Sequence, residues 1–238
     1  MRRVLALLSF AALAVVSTGC SGEDAEEARA LLTQSQAALA DVRSATFTMK
    51  LSMEGAPQDF SFTISGGAYV KGKRAGDFYA VMGTDSGLFQ DIVVMQQDGQ
   101  VAASMDGRVV TDGLPPAQTQ NPVGMMPLDP YVKDVKVEHD KLIGGEPATK
   151  ITGVVDTKKF LDNSLGSLSQ VNGFGEAGFE LGDMFGDTRA VFYLSDTTHL
   201  PLRALVDVPM DLLGQEVVMH VDFAYTSFDK KLRFPSLR

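Results

Sequence analysis

The sequence predicts a mostly β fold of the α+β class: an antiparallel sheet preceded by one amphipathic helix. Three observations predict it. After residue 44 apolar and polar side chains alternate in segment after segment, turn-forming residues separate those segments, and a single stretch of helical period stands before them.

The chain opens with a basic pair, Arg2 and Arg3, then a 13-residue apolar run from Val4 to Val16 broken only by Ser9. That is shorter than the roughly 20 residues a membrane-spanning helix needs. A basic start, an apolar middle and the small residues Ser17, Thr18 and Gly19 are the layout of a secretory signal over 1–19. Cys20 follows directly and is the only cysteine of the chain, so no disulfide forms within it. No neighbouring side chain in the sequence activates the thiol as a nucleophile.

Residues 20–24 form a short polar tether, and residues 25–238 are read as one domain. Ala28, Leu31, Leu32, Ala38, Leu39 and Val42 recur at helical spacing and predict an amphipathic helix over about 25–42. Glu23, Asp24, Glu26 and Glu27 lie at its start, where the helix dipole favours negative charge. The period then changes to two. Phe47, Met49, Leu51 and Met53 point to one side of a strand, Thr46, Thr48, Lys50 and Ser52 to the other. Phe60, Phe62 and Ile64 repeat the pattern after the turn-like EGAPQD, so the two segments read as a hairpin. Further strands are expected at 67–70, 77–82, 91–96, 100–105, 132–138, 148–155, 189–194, 202–208 and 216–224. The last of these carries Val217, Met219, Val221 and Phe223 on one side.

Two stretches depart from this scheme. Residues 112–130 hold five of the ten prolines and read as a loop, and 157–187 is glycine-rich yet dense in leucine and phenylalanine. Those apolar side chains either pack on the sheet or cover something apolar.

Charge excludes some functions. Without Arg2 and Arg3 the 19 remaining basic side chains face 30 acidic ones, a net charge of −11. Nucleic acid is not an expected partner, and a polybasic attraction to anionic lipid heads has no support in the sequence. Gly173-Phe174-Gly175-Glu176-Ala177-Gly178 satisfies G-x-G-x-x-G, but no strand–helix unit surrounds it. Gly67 to Lys73 matches the start of a phosphate-binding loop, with Arg74 where Ser or Thr would hold magnesium. His139, His199 and His220 are far apart and do not form a metal-ligand pair, and G-x-S-x-G is missing. Neither an enzyme nor a cofactor or metal is therefore expected. Ten of eleven methionines remain beyond the signal, several sharing strand faces with phenylalanine, and there is no tryptophan. Flexible thioethers suit an irregular apolar partner, and they suit a filled core equally.

Ser17-Thr18-Gly19-Cys20 resembles a lipobox, in which the cysteine receives a diacylglyceryl group and becomes the mature N-terminus; Ser17 stands where leucine is usual. The order of lipobox, short tether, helix and the strand VRSATFTMKLSM resembles the LppX/LprG family of actinobacterial lipoproteins through Val42, Ser44, Phe47 and Thr48. HLPLRALVDVP at 199–209 and YTSFDKKLRFP at 225–235 extend the resemblance, while the insert around 166–187 departs from it. The resemblance implies a curved antiparallel half-barrel, similar also to the LolA and LolB lipoprotein carriers, with helix and loop cover enclosing an apolar cavity for acyl chains. It makes Cys20 the lipid attachment site, with palmitate as a label for it. Phe47, Met49, Leu51, Met53, Phe60, Phe62 and Ile64 become the cavity lining, with Val217, Met219, Val221 and Phe223 closing it and 112–130 and 163–187 as its rim. The expected protein is a monomeric, extracytoplasmic carrier of acylated lipids or glycolipids, held to the cell membrane through Cys20, with a membrane transporter as a possible protein partner. Two other readings stay open: an envelope sensor or scaffold with a filled core, and a hydrolase whose Ser, His and Asp meet only in space.

Overall fold

The computed structural model describes residues 22–55, 60–84, 92–105, 108–111, 132–155, 186–212 and 214–236. Cys20, the G-x-G-x-x-G segment and both rim loops, except Gly186 and Asp187, lie outside them. Among the described residues one helix, α1 (Gly22–Asp41), precedes eleven strands: β1 (Ser44–Glu54), β2 (Phe60–Tyr69), β3 (Phe78–Thr84), β4 (Ile92–Gln97), β5 (Gln100–Met105), β6 (Arg108–Val110), β7 (Val132–Ile143), β8 (Glu146–Val155), β9 (Thr188–Ser195), β10 (Pro201–Leu212) and β11 (Gln215–Phe228). They form a single curved open sheet in the order β6-β5-β4-β3-β2-β1-β11-β10-β9-β8-β7.

Each described neighbour pair is antiparallel. Neighbours in the sheet are consecutive in sequence, with one exception: β1 pairs with β11 at the centre. Two meanders therefore run outward from a seam between the first and last strands, leaving β6 and β7 as edges. The edges are blunted in different ways. β6 has three residues, and β7 breaks register near Asp134 and Asp140, both at positive φ. Such bulges and the flanking lysines discourage a second sheet from pairing there.

Alternation sorts the side chains of every strand. One face packs on α1 and is called the helix face. Ala28 of α1 is buried with Phe47, Ile151, Val155, Ala190, Phe192, Leu194, Ala204 and Phe223, flanked by Leu31, Leu32, Met49 and Ile64. Val42, Ala45, Ala68 and Phe78 form a second cluster beside it, with Leu39. Ala28 and Ser35, the helix's buried residues, lie two turns apart on one side, and their small size lets the helix backbone come close. Phe47 and Phe223 stack at 5.3 Å across the β1–β11 seam.

Two expectations are corrected. The helix begins at Gly22, because Glu23 and Asp24 occupy its first turn and stabilise it there. Residues 60–64 and 67–70, read as separate strands, are one strand running through Gly66 and Gly67. The glycines do not break it, because each makes room for a side chain from elsewhere. A Cβ on Gly66 would stand 2.6 Å from the Phe47 ring, and one on Gly67 3.1 Å from Leu232. β6, too short to show alternation, was not expected. Gly67 to Tyr69 belong to β2 and Val70 leads by a turn into β3, so no helix follows to make a phosphate-binding loop.

Candidate functional site

The two ends of the helix face differ. At one, the helix end, β1 starts, β11 finishes and α1 crosses. Val42 packs beside β1, while Glu27 Oε1 meets Nε2 of His139 on β7 at 3.1 Å. The span from Glu27 to Asp41, about 21 Å of helix, fits five strand spacings of about 4.8 Å on a curved sheet. At the other, the loop end, β1 finishes at Glu54, residues 56–59, 85–91, 106–107 and 156–185 join strands that terminate there, and β7 begins there at Val132.

Among the sequence-predicted site residues, register places the following on the helix face. Met49, Leu51 and Met53 of β1 stand opposite Ile64, Phe62 and Phe60 of β2, and opposite Phe223, Val221 and Met219 of β11. Phe47 faces Gly66 and Tyr225. Phe47, Val217 and Phe223 are buried; Phe47 and Phe223 belong to the packed core under α1. Met49, Leu51, Met53, Phe62, Ile64, Met219 and Val221 are only half-buried.

Sequence reasoning missed other members of the same surface. Met82 and Ile92 continue it on β3 and β4, and Val206 and Met210 on β10, all half-buried and in register with it. The alternation of β3 and β10 was visible in the sequence, but which of their sides joins β1 depends on pairing. Across β4, β3, β2, β1, β11 and β10 the helix face carries no charged side chain at any described position.

The charged side chains of the outer face pair with one another. Arg203 donates two hydrogen bonds to Asp222, at 2.8 and 2.6 Å, and holds its carboxyl below the usual range. His220 sits on this face between Asp207 Oδ1 at 2.7 Å and Glu54 Oε2 at 3.2 Å, and hydrogen bonding to Asp207 raises its pKa. Hydrogen bonds from Lys150 and Lys141 hold Glu138 at about 2.

One cluster brings a hydroxyl, a histidine and carboxylates together. Thr149 Oγ1 donates to Asp196 Oδ1 at 2.7 Å and lies 3.1 Å from His139 Nδ1, while His139 Nε2 faces Glu27. The Thr149 proton is committed to Asp196 and its side chain is buried, so the cluster ties α1 to the sheet edge rather than presenting a nucleophile. Among the described residues no group of three or more His, Cys, Asp or Glu is placed to hold a metal. No helix among them is long and apolar enough to cross a membrane.

Comparison with known proteins gives a fold and no sequence family. No family profile matches the chain, and no curated protein matches it. Among solved structures, LprF from Mycobacterium bovis superposes with a TM-score of 0.55 at 14% identity, covering 89% of this chain and 97% of that one. The Mycobacterium tuberculosis lipoprotein LppX superposes with a TM-score of 0.50 at 14% identity, over 88% and 99% of the two chains. The antiparallel half-barrel with an N-terminal helix that the resemblance implied is the fold observed, and this chain shares it with LprF and the lipoprotein LppX.

Proposed function

We propose that the protein is a lipid-anchored, extracytoplasmic lipoprotein that holds the acyl chains of a lipid or glycolipid against the loop half of its helix face. The observation that carries this reading is the uncharged, half-buried apolar surface spread over six adjacent strands. A packed core would bury those side chains as it buries Phe47 and Phe223. Each acyl CH₂ brought against them contributes about 0.8 kcal/mol, and no polar recognition is needed for a long chain to bind. Methionines at 49, 53, 82, 210 and 219 supply soft contacts that adapt to a flexible chain. The likeness to the lipoprotein LppX supports Cys20 as the acylated residue. The blunted edges of the sheet suit a monomer, leaving hand-over to a membrane transporter or a second carrier as the way lipid leaves.

Native mass spectrometry after mild purification should show a mass excess that dissociates as lipid, and the emptied protein should take up a fluorescent fatty acid. Leu51→Asp should weaken that uptake about tenfold or more, since a carboxylate would have to desolvate against the ligand, while far-UV circular dichroism stays unchanged. Purified protein that is empty and refuses fatty acids would overturn the reading in favour of an envelope scaffold. Labelled palmitate should enter the parent chain and fail to enter Cys20→Ser.

A further inference from the structure

We infer that the helix end of the molecule is a docking face for the anionic headgroup surface of a lipid bilayer, so that the apolar half-site opens away from the membrane that anchors the chain. The inference rests on the reading of Cys20 as the lipidated anchor. The net charge of −11 conceals it, because the basic residues that form the face are scattered in sequence.

Backbone hydrogen bonds gather them. Arg43 O accepts from Val70 N and Lys71 N; Arg43 N donates to Asp229 Oδ1; Asp229 N donates to Ser44 O. The C-terminal segment then runs extended across the outer face of β2 and β3. Leu232 turns inward against Gly67, and Phe234 stacks on Tyr69 and meets Tyr79 edge-on. The guanidinium of Arg74 covers Tyr69 and Phe234 at 4.5 and 4.8 Å. With Leu232 and Phe234 inward, Lys231 and Arg233 project outward, beside Lys230, Lys73 and Arg43, and all five are exposed. None of the five side chains has an ion pair among the described residues. Lys71, also exposed, pairs with Asp41 and Arg74 with Asp77; Asp229, which accepts from the Arg43 amide, and Asp98, whose amide donates to Asp77, keep their charge, so the face sets five cations against two carboxylates.

Position identifies the partner. Gly22 begins α1 two residues after Cys20, and the His139–Glu27 contact holds that part of the helix beside β7, toward the hairpin whose tip is Gly144–Gly145. That hairpin carries Leu142, 71% exposed. The start of α1 and the basic face thus lie at the same end of the strands, joined by a helix of about 30 Å. A bilayer holding Cys20 is the anionic surface always in reach of the basic face, and an acyl anchor plus a basic patch is the two-signal arrangement that makes membrane attachment stable. The acidic residues Glu23, Asp24 and Glu26 at the start of α1 do not cancel it, since about 30 Å is several Debye lengths of about 8 Å each. The helix therefore lies along the bilayer, and β1 carries Leu51 and Met53 away from it.

The test uses the lipidated protein on vesicles of phosphatidylcholine alone or with phosphatidylglycerol. Trypsin cleavage at Lys230, Lys231 and Arg233 is measured against cleavage at Lys133, at the opposite end. On anionic vesicles the ratio should fall about tenfold and recover in raised salt. The triple variant Lys230→Glu, Lys231→Glu, Arg233→Glu should retain fatty-acid uptake and show equal protease accessibility at Lys73 on both vesicle types. Equal ratios on both vesicle types, with the protein floating on each, would overturn the docking face while leaving the carrier reading intact. Protection that appears on neutral vesicles and grows with protein density would also overturn it, assigning the face to the acidic helix start of a second copy. Protein that floats on neither vesicle would remove the anchor, and the inference with it.

Discussion

Phe47 and Gly66 show how single residues set this sheet. The Phe47 ring occupies the space above Gly66, where a Cβ would lie 2.6 Å from both the ring and the Tyr79 carbonyl oxygen. Gly66→Ala should cost about 1–3 kcal/mol by overpacking, and Phe47→Ala about 3–5 kcal/mol through the cavity it leaves beside Phe223; urea midpoints at unchanged slope would measure both. His220 gives a pH signature. Its imidazole ordinarily titrates near 6.5, and Asp207 with Glu54 raises that in the folded state. The fold therefore favours the protonated ring, so this contribution is complete below about pH 6.5 and is lost as pH rises through the folded value. Thermal melts between pH 6 and 8.5 should show that component in the parent and lose it in His220→Gln. The side of the strand on which Phe47 lies was legible from alternation with Thr46 and Thr48. Gly66 was not, because its requirement comes from a ring nineteen residues earlier in the chain.

At the scale of elements, α1 is a strap. It crosses the sheet with small residues inward, and it is fastened near its start by the Glu27, His139, Thr149 and Asp196 chain of contacts. Ala28→Asp would bury a carboxylate without a partner against Ile151 and Phe192 and should cost about 2 kcal/mol or more. His139→Ala should leave the sheet intact but speed amide exchange in the first turns of α1, which hydrogen-exchange mass spectrometry would resolve. The helix and most strands were readable because their periods, 3.6 and 2, are local properties of side-chain order. Their ends were less so. β7, β10 and β11 run several residues past the alternating segments into Lys141, Asp211 and Ser227, where the partners Ala148, Glu216 and Thr46 rather than apolar pattern extend the ladder.

At the scale of the molecule, the pairing of β1 with β11 turns two meanders into one sheet with a continuous helix face. A ligand held on that face binds only the folded protein, so emptied protein should melt below loaded protein. Fatty acid at a hundredfold excess over its Kd should return about 2.7 kcal/mol, a shift that differential scanning calorimetry would record. By itself, the sequence determined the mostly β class, the helix before the sheet, the side of β1 that is apolar, and the lipobox-like start. These depend on neighbours in the chain, whose periodicity and chemistry are written in order. Only the tertiary structure decided which apolar sides are buried under α1 and which stay half-open, that Gly66 and Gly67 continue a strand, and that Arg43, Lys73, Lys230, Lys231 and Arg233 share one end. The physical reason is that burial and electrostatic potential depend on distance in space, and strand pairing brings together residues as far apart as 43 and 229.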